Sequence, residues 1–269
     1  MTELPDLSMA KNLERLKLVD CPSLTEVPSS LQYLDKLEYI DLSDCYNLRS
    51  FPMLYSKVLR YLEINRCLDV TTCPTFSQNM VWLWLEQTSI KEVPQSVTGR
   101  LEYLYLNGCS KMTKFPENLE DIEVLELRGT AIKEVPSSIQ APIQFLTRLE
   151  TLDMSGCSKL ESFPEITVPM ESLVELNLSK TGIKEIPSSS FKHMISLKRL
   201  QLDGTPIKAL PELPPSLCYL TTHDCASLET AISIIKIRSL WGVLDFTNCF
   251  KLDQKPLVAA MHLKIQVSL

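Results

Sequence analysis

The sequence predicts an α/β leucine-rich-repeat solenoid of about eleven repeats, and three observations lead to this fold class. The template L-x-x-L-x-L-x-x-(C/T) recurs eleven times in 269 residues. Successive copies start 20 to 27 residues apart, which lies within the range of known leucine-rich repeats. Nine copies close with an apolar residue followed by proline. The copies begin at Leu13, Leu37, Leu59, Met80, Leu101, Ile122, Leu149, Leu173, Leu197, Leu217 and Trp241.

Each copy contains one short β-strand in this interpretation. The central x-L-x-L-x segment alternates with a period of two, so its leucines point inward and its other residues point outward. Because one copy cannot bury its leucines alone, neighbouring copies are expected to stack as parallel strands. The sheet is expected to line the concave face of a curved horseshoe, with short helical turns or irregular coil on the convex face. Serines after the prolines, at Ser29, Ser137 and Ser188, are interpreted as caps of those turns.

The ninth position of every copy is cysteine or threonine. A small, weakly polar side chain at this position can bond the turn backbone while it stays buried. The pattern therefore predicts an internal ladder of reduced thiols rather than disulfides or a zinc site. An odd total of nine cysteines also excludes complete internal pairing. Cysteine occupies this position at 21, 45, 67, 109, 157, 225 and 249, and threonine at 88, 130, 181 and 205.

Two segments follow from the repeat register. Residues 1–250 are predicted to form the solenoid, and its amino-terminal end is interpreted as a cut inside a longer array. The reason is that LPDLSMAKNL resembles the tail of an earlier copy. Residues 251–269 fit either a carboxyl-terminal cap or the truncated start of a domain after the repeats.

Composition and motifs argue against several classes of function. The net charge is −6 and the isoelectric point is near 5.3, which disfavours a nucleic-acid or anionic-membrane surface. The sequence contains no phosphate-binding GxxxxGK[ST] loop, HExxH or GxSxG motif. His223-Asp224-Cys225 stands out, but Cys225 is an inward ladder position. We therefore predict no catalytic residue, no metal site and no cofactor.

The outward strand positions carry the functional prediction. They hold seven of the eleven Tyr and Trp residues, although solvent-facing strand positions are usually polar. Rings on adjacent strands are roughly 5 Å apart and are expected to stack, and six of them offer on the order of 900 Å² before mutual shading. A standard interface takes about 800 Å² per partner. The predicted partner-binding residues are Tyr39, Tyr61, Glu63, Trp82, Trp84, Glu86, Tyr103, Tyr105 and Glu126.

The surrounding charges favour a basic or mixed-charge protein partner. Arg15 and Lys17 mark the amino-terminal edge, and acids flank the rings. Two other interpretations stay open: another part of the same protein covers the rings, or the rings only stiffen the sheet. The flanking acids are Asp41, Glu63, Glu86, Glu126 and Asp153, and the basic residues of the later copies are Lys180, Lys198 and Arg199.

Two alternating cassettes carry a family resemblance. GCSKMTKFPE from Gly108 and GCSKLESFPE from Gly156 contrast with RGTAIKEVPSSI from Arg128 and SKTGIKEIPSSS from Ser179. Together with FTNCFKLDQ from Phe246, they resemble the leucine-rich-repeat region of plant intracellular immune receptors. The resemblance is to the class with a Toll/interleukin-receptor (TIR) domain and a central nucleotide-binding domain (TIR-NB-LRR).

The resemblance implies a ligand-sensing module that recognises a pathogen effector protein and contributes to autoinhibition, in the cytoplasm or nucleus. It also implies intramolecular contacts with the nucleotide-binding and post-repeat domains of such a receptor. NAD cleavage and nucleotide binding would lie in domains outside this chain. The alternatives are a purely intramolecular autoinhibitory scaffold, an extracellular receptor ectodomain, to which the single sequon at Asn177 points weakly, and a bacterial effector with LPELPPSL-type repeats.

Overall fold

The computed structural model describes residues 4–54, 56–76, 79–98, 100–136, 147–237, 242–255 and 258. These residues form two compact units, Met1–Ile132 and Lys133–Leu269. Each unit is built from parallel strands that follow one another in chain order. The predicted leucine-rich-repeat fold is confirmed. Its helical content is small and lies in the connections between strands.

The first unit contains six strands in its described part. Each pairs in parallel with the next at the register that the repeats predict, for example Leu62 with Leu83 and Leu83 with Leu104. A 3-10 helix, Ser29–Tyr33, and a one-turn helix α1, Gln95–Thr98, lie in the connections. The strands are β1 Arg15–Lys17, β2 Tyr39–Asp41, β3 Tyr61–Glu63, β4 Trp82–Trp84, β5 Tyr103–Tyr105 and β6 Val124–Glu126.

The second unit contains five strands among its described residues, again parallel and in sequential order. Two 3-10 helices, Ser190–His193 and Ile232–Lys236, lie between them. Trp241, the start of the last copy, lies outside the described residues, as does most of 251–269. The strands are β7 Thr151–Asp153, β8 Glu175–Asn177, β9 Arg199–Gln201, β10 Tyr219–Thr221 and β11 Leu244–Asp245.

The position-nine ladder exists, and its two residue types bond differently. A cysteine thiol donates to a carbonyl of the preceding copy, as Cys67 does to Leu42 at 3.2 Å and Cys109 does to Leu85 at 3.1 Å. A threonine hydroxyl donates to the carbonyl three residues earlier in its own copy, as Thr88 does to Leu85 at 2.9 Å. The carbonyl of Leu85 therefore accepts from both residue types.

Turn length follows the residue type at position nine. After cysteine the next buried apolar residue comes three positions later, and its N–H donates to the cysteine carbonyl, as Met112 does to Cys109. After threonine the next buried apolar residue comes two positions later, as Ile132 does after Thr130. All four threonine copies have the short spacing and all seven cysteine copies the long one. The choice of residue therefore goes together with the length of the turn.

Burial disfavours the thiolate form of most ladder cysteines. All nine cysteines are free, and only Cys21 and Cys218 are partly exposed. Burial raises the pKa of the Cys45 thiol to about 11 and that of the Cys67 thiol to about 12. Since the thiolate is the reactive form, we interpret the buried thiols of Cys45 and Cys67 as structural. No group of His, Cys, Asp and Glu suited to a metal ion occurs among the described residues.

The eighth position of every copy adopts positive φ, although glycine fills only four of the eleven positions. The N–H of this residue donates across to the next copy, for example from Gln87 to the carbonyl of Asn107 at 2.8 Å. Left-handed backbone is unfavourable for a residue with a Cβ. At Gly108 an added Cβ would also lie 2.9 Å from Cγ of Gln87. Because its N–H bonds the next copy, this turn residue extends the hydrogen bonding between copies beyond the short strands.

The serine caps predicted for the turns near Ser29 and Ser188 are wrong. No capping side-chain hydrogen bond starts the 3-10 helices at Ser29 and Ser190, and Ser137 lies outside the described residues. Serines in these segments bond the preceding copy instead. Ser190 Oγ accepts from the N–H of Ile166 at 3.1 Å and donates to the carbonyl of Pro164 at 3.0 Å. A 3-10 turn this short presents few free N–H groups, whereas the adjacent copy lies within reach.

Candidate functional site

The predicted aromatic patch lies entirely within the first unit. Strands β2 to β5 place six rings on one face because their flanking leucines point the other way into the core. The rings pack on one another, so five are half-buried and Tyr61, at 38%, is the most exposed. We define the aromatic patch by its six rings, which are Tyr39, Tyr61, Trp82, Trp84, Tyr103 and Tyr105.

The patch divides into two parts rather than forming one continuous stack. The first part is the pair Tyr39 and Tyr61, whose rings are tilted by 43° to each other with centroids 6.4 Å apart. Among the described residues no ring contact joins Tyr61 to Trp82. The second part, which we call the four-ring cluster, consists of Trp82, Trp84, Tyr103 and Tyr105. The expectation that rings on adjacent strands stack therefore holds for Trp82 and Tyr103 but not for Tyr61 and Trp82.

The four-ring cluster is tightly packed. Trp82 stacks on Tyr103 with centroids 4.9 Å apart and planes 28° from parallel. Tyr105 lies 5.4 Å from Trp82 and 5.2 Å from Trp84. The Nε1 atoms of both tryptophans are buried and have no hydrogen-bond partner. What the two tryptophans leave accessible is therefore ring carbon rather than the indole N–H.

Carboxylates surround the four-ring cluster. Asn107 Nδ2 donates to Glu86 Oε1 at 2.6 Å and to Glu126 Oε2 at 2.5 Å, which holds both side chains beside Tyr105. Burial raises the pKa of Tyr105, and the charges of Glu126 and Glu86 add to that effect. Asn107 was not among the predicted site residues. The sequence did carry a signal for it, because Asn107 lies two residues beyond Tyr105 and Asn65 lies at the same repeat position of an earlier copy.

The Tyr39 end of the patch already holds a cation. The Arg15 guanidinium lies 4.4 Å from the Tyr39 ring centroid, and the Lys17 ammonium lies 5.0 Å from it. The Tyr39 hydroxyl donates to Glu63 at 2.9 Å, and burial together with this carboxylate raises the pKa of Tyr39. Asp41, predicted to flank the rings as an exposed acid, is only 6% exposed. The N–H of Ser43 donates to its Oδ1 at 3.1 Å, and the Tyr39 hydroxyl oxygen lies 3.3 Å from its Oδ2, so polar contacts compensate for its burial.

The residues of the predicted His-Asp-Cys motif do not form a nucleophilic site. His223 Nδ1 lies 2.9 Å from Asp224, and its Nε2 lies 3.4 Å from Asp203. Cys225 is buried, donates to the carbonyl of Leu202, and has a pKa raised by burial. The histidine and the thiol therefore contact different groups.

Comparison with known proteins bears on the family. No family model matches the chain. An 85-residue segment is 44% identical to Disease resistance protein RML1B of Arabidopsis thaliana, covering 31% of this chain and 8% of that protein. A 90-residue segment is 36% identical to Disease resistance-like protein DSC1 of the same plant, covering 32% and 7%. The chain is a leucine-rich-repeat region related to plant disease resistance proteins. The matched segments span less than a tenth of these relatives.

A solved structure supports the fold of this leucine-rich-repeat region. The functional domain of InlJ from Listeria monocytogenes, which includes a cysteine ladder, aligns with 94% of this chain and 59% of its own. The TM-score is 0.58 at 17% identity, so the likeness concerns the fold alone. Among the described residues no helix is long and apolar enough to span a membrane.

Glu63→Gln is expected to stabilise the region at neutral pH. Burial raises the pKa of Glu63 in spite of the hydrogen bond from Tyr39, so the fold favours the protonated form. The charged form therefore opposes folding at neutral pH, and glutamine removes that charge while keeping an acceptor for Tyr39. We expect a gain of up to about 1 kcal/mol in the free energy of unfolding, after allowance for solvent screening.

The gain should vanish as the pH falls below the ordinary glutamate pKa of about 4.3, because the wild-type carboxyl is then protonated as well. Urea unfolding of the wild type and the variant measures the difference in the free energy of unfolding at neutral and at acid pH. The exposed Glu120 provides the control variant Glu120→Gln, which should leave the free energy of unfolding unchanged at both pH values. A less stable Glu63→Gln protein at neutral pH would contradict the expectation.

Proposed function

We propose that this region is the ligand-sensing protein-recognition module of a plant intracellular immune receptor. Its ligand is a pathogen effector protein, which binds the aromatic patch and the carboxylates of Glu63, Glu86 and Glu126. The observation that carries the proposal is the grouping of six rings on one strand face in a chain related to disease resistance proteins. Tyr and Trp dominate the energetics of protein interfaces.

A protein ligand also agrees with how another leucine-rich-repeat protein is used. The ectodomain of the Arabidopsis thaliana receptor kinase GASSHO1/SCHENGEN3 was solved in complex with Casparian Strip Integrity Factor 2, with a TM-score of 0.55 and 20% identity to this chain. The alignment covers 93% of this chain and 39% of the ectodomain chain. The role proposed here is recognition, without catalysis in this region.

Autoinhibition is the second part of the proposal. The region contacts the nucleotide-binding and post-repeat domains of a TIR-NB-LRR receptor and keeps the receptor inactive in the cytoplasm or nucleus until the effector binds. A face of half-buried rings suits both contacts, because the same apolar surface can bind an internal domain or an external protein.

The test is a triple variant, Trp82→Ala, Trp84→Ala and Tyr105→Ala, in the receptor that contains this region. We expect the effector to lose at least about tenfold in affinity, because these rings form the interface centre, and cell death on effector exposure to disappear. Tyr33 is 55% exposed and lies outside the patch, so Tyr33→Ala is the matched control. Circular dichroism establishes that both proteins are folded.

Each outcome separates the interpretations. Loss of the response to one effector, without cell death in its absence, supports recognition at the patch. Cell death without effector means that the patch is an internal clamp. A variant that keeps normal recognition and normal silence contradicts both roles of the patch.

A further inference from the structure

We propose that the four-ring cluster with Glu86 is a cation site that receives an arginine side chain from a loop of the protein partner. This inference rests on the proposed function and specifies the chemistry of the ligand. The first observation is the orientation of the indoles. Both Nε1 atoms are buried, so neither indole N–H is free to bind a hydrogen-bond acceptor of the partner, whereas an aromatic face that a guanidinium reaches attracts the cation.

The second observation is an acceptor without a partner beside the rings. Asn107 occupies Oε1 of Glu86, and no described group bonds or pairs with Oε2. Glu86 is half-buried, and its charge adds to the burial that raises the pKa of Tyr105. An aromatic surface next to an unpaired carboxylate oxygen combines the two groups that a guanidinium contacts best, since it stacks on rings and donates to carboxylates through its planar fork.

The third observation is that the same sheet fills the corresponding site elsewhere. At the Tyr39 end, β1 supplies Arg15 and Lys17, which lie over a ring on the next strand. At Trp82 the preceding strand, β3, instead supplies Tyr61 and Glu63 at the same positions. Neither Trp82, Trp84 nor Tyr105 has a cation over its ring among the described residues. The chain thus provides its own cation at one end of the patch and leaves the other end for the partner.

A peptide titration tests the site in the 269-residue chain. The probe is acetyl-Gly-Gly-Arg-Gly-Gly-amide, and the matched control replaces arginine by citrulline, which keeps the shape and loses the charge. The readout is the NMR signal of the Trp82 and Trp84 indole N–H groups, assigned with Trp→Phe variants. We expect a shift at both signals with arginine and about tenfold weaker binding with citrulline.

Variants locate the site. Glu86→Gln should weaken arginine binding about fivefold, because a charged hydrogen bond becomes a neutral one. Glu120→Gln, at an exposed acid away from the rings, should leave binding unchanged. Equal binding of citrulline and arginine, no binding of arginine by the folded chain, or full binding by Glu86→Gln would overturn the proposal.

The same data separate this proposal from the proposed function. If the arginine peptide does not bind but the triple ring variant still abolishes effector recognition, the cation site is wrong and the recognition role stands. If the arginine peptide binds but that variant keeps effector recognition, the cation site exists and the patch is not the effector-binding surface.

Discussion

Deletion of Ser110 is expected to lower the free energy of unfolding by roughly 3–6 kcal/mol, since two apolar side chains lose their burial. Met112 and Phe115 follow Cys109 at the spacing of the long turn, and both are buried. Removing one residue leaves a cysteine at position nine followed by the spacing of the short, threonine-type turn. Guanidinium unfolding monitored by circular dichroism measures the loss.

The second variant, Ser110 deletion with Cys109→Thr, is the informative partner. Threonine donates to its own copy, so the short turn regains the bond found at Thr88. The carbonyl of Leu85 loses the Cys109 thiol but keeps the Thr88 hydroxyl, so no acceptor is left bare. We expect the double variant to recover at least about 1 kcal/mol, the value of one net hydrogen bond. Cys109→Thr alone serves as the control. A double variant no more stable than the deletion would refute the coupling between residue type and turn length.

Leu104→Ala is expected to cost about 2–5 kcal/mol, the range for removing a fully buried leucine side chain. Leu104 is the central residue of β5, is inaccessible to solvent, and pairs with Leu83 and Leu125 on the neighbouring strands. Because stability in a repeat array comes from contacts between adjacent copies, the cavity weakens the contact on both sides. Chemical unfolding of the 269-residue chain provides the measurement.

Leu68→Ala is the matched control, because the same atoms are removed from a side chain that is 50% exposed. Its effect should stay within about 0.5 kcal/mol, as for most surface substitutions. Similar losses for the two variants would mean that the strand leucines do not form the stabilising core.

The strands were predictable because the leucine spacing is a one-dimensional signal. Strands β1 to β10 cover the first three residues of each predicted five-residue segment, and β11 begins one residue later, at Leu244. An apolar residue, usually leucine, at every second position of each predicted strand, repeated every 20 to 27 residues, favours the one register that buries these residues. The buried threonines and most position-nine cysteines followed from the same register.

The details of the site were not predictable, because they depend on which neighbours a side chain meets across copies. Sequence alone places Trp82 and Trp84 on one face, but their ring tilts and buried Nε1 atoms depend on how Tyr103 and Tyr105 pack. The role of Asn107 required knowing that its amide reaches carboxylates on both sides. The burial of Asp41 likewise depended on donors that alternation does not encode.

Cysteine and threonine at position nine bond differently, so copies of the two types should differ in how well they tolerate being gained, lost or moved by gene rearrangement. The threonine hydroxyl donates to a carbonyl of its own copy. A threonine copy can therefore be duplicated, lost or moved to the front of an array, and its hydroxyl keeps its hydrogen bond. A cysteine copy donates backwards and needs a predecessor, which gives the array a direction. Lineages that lengthen or shorten such an array are therefore expected to gain and lose threonine copies more readily at its leading edge.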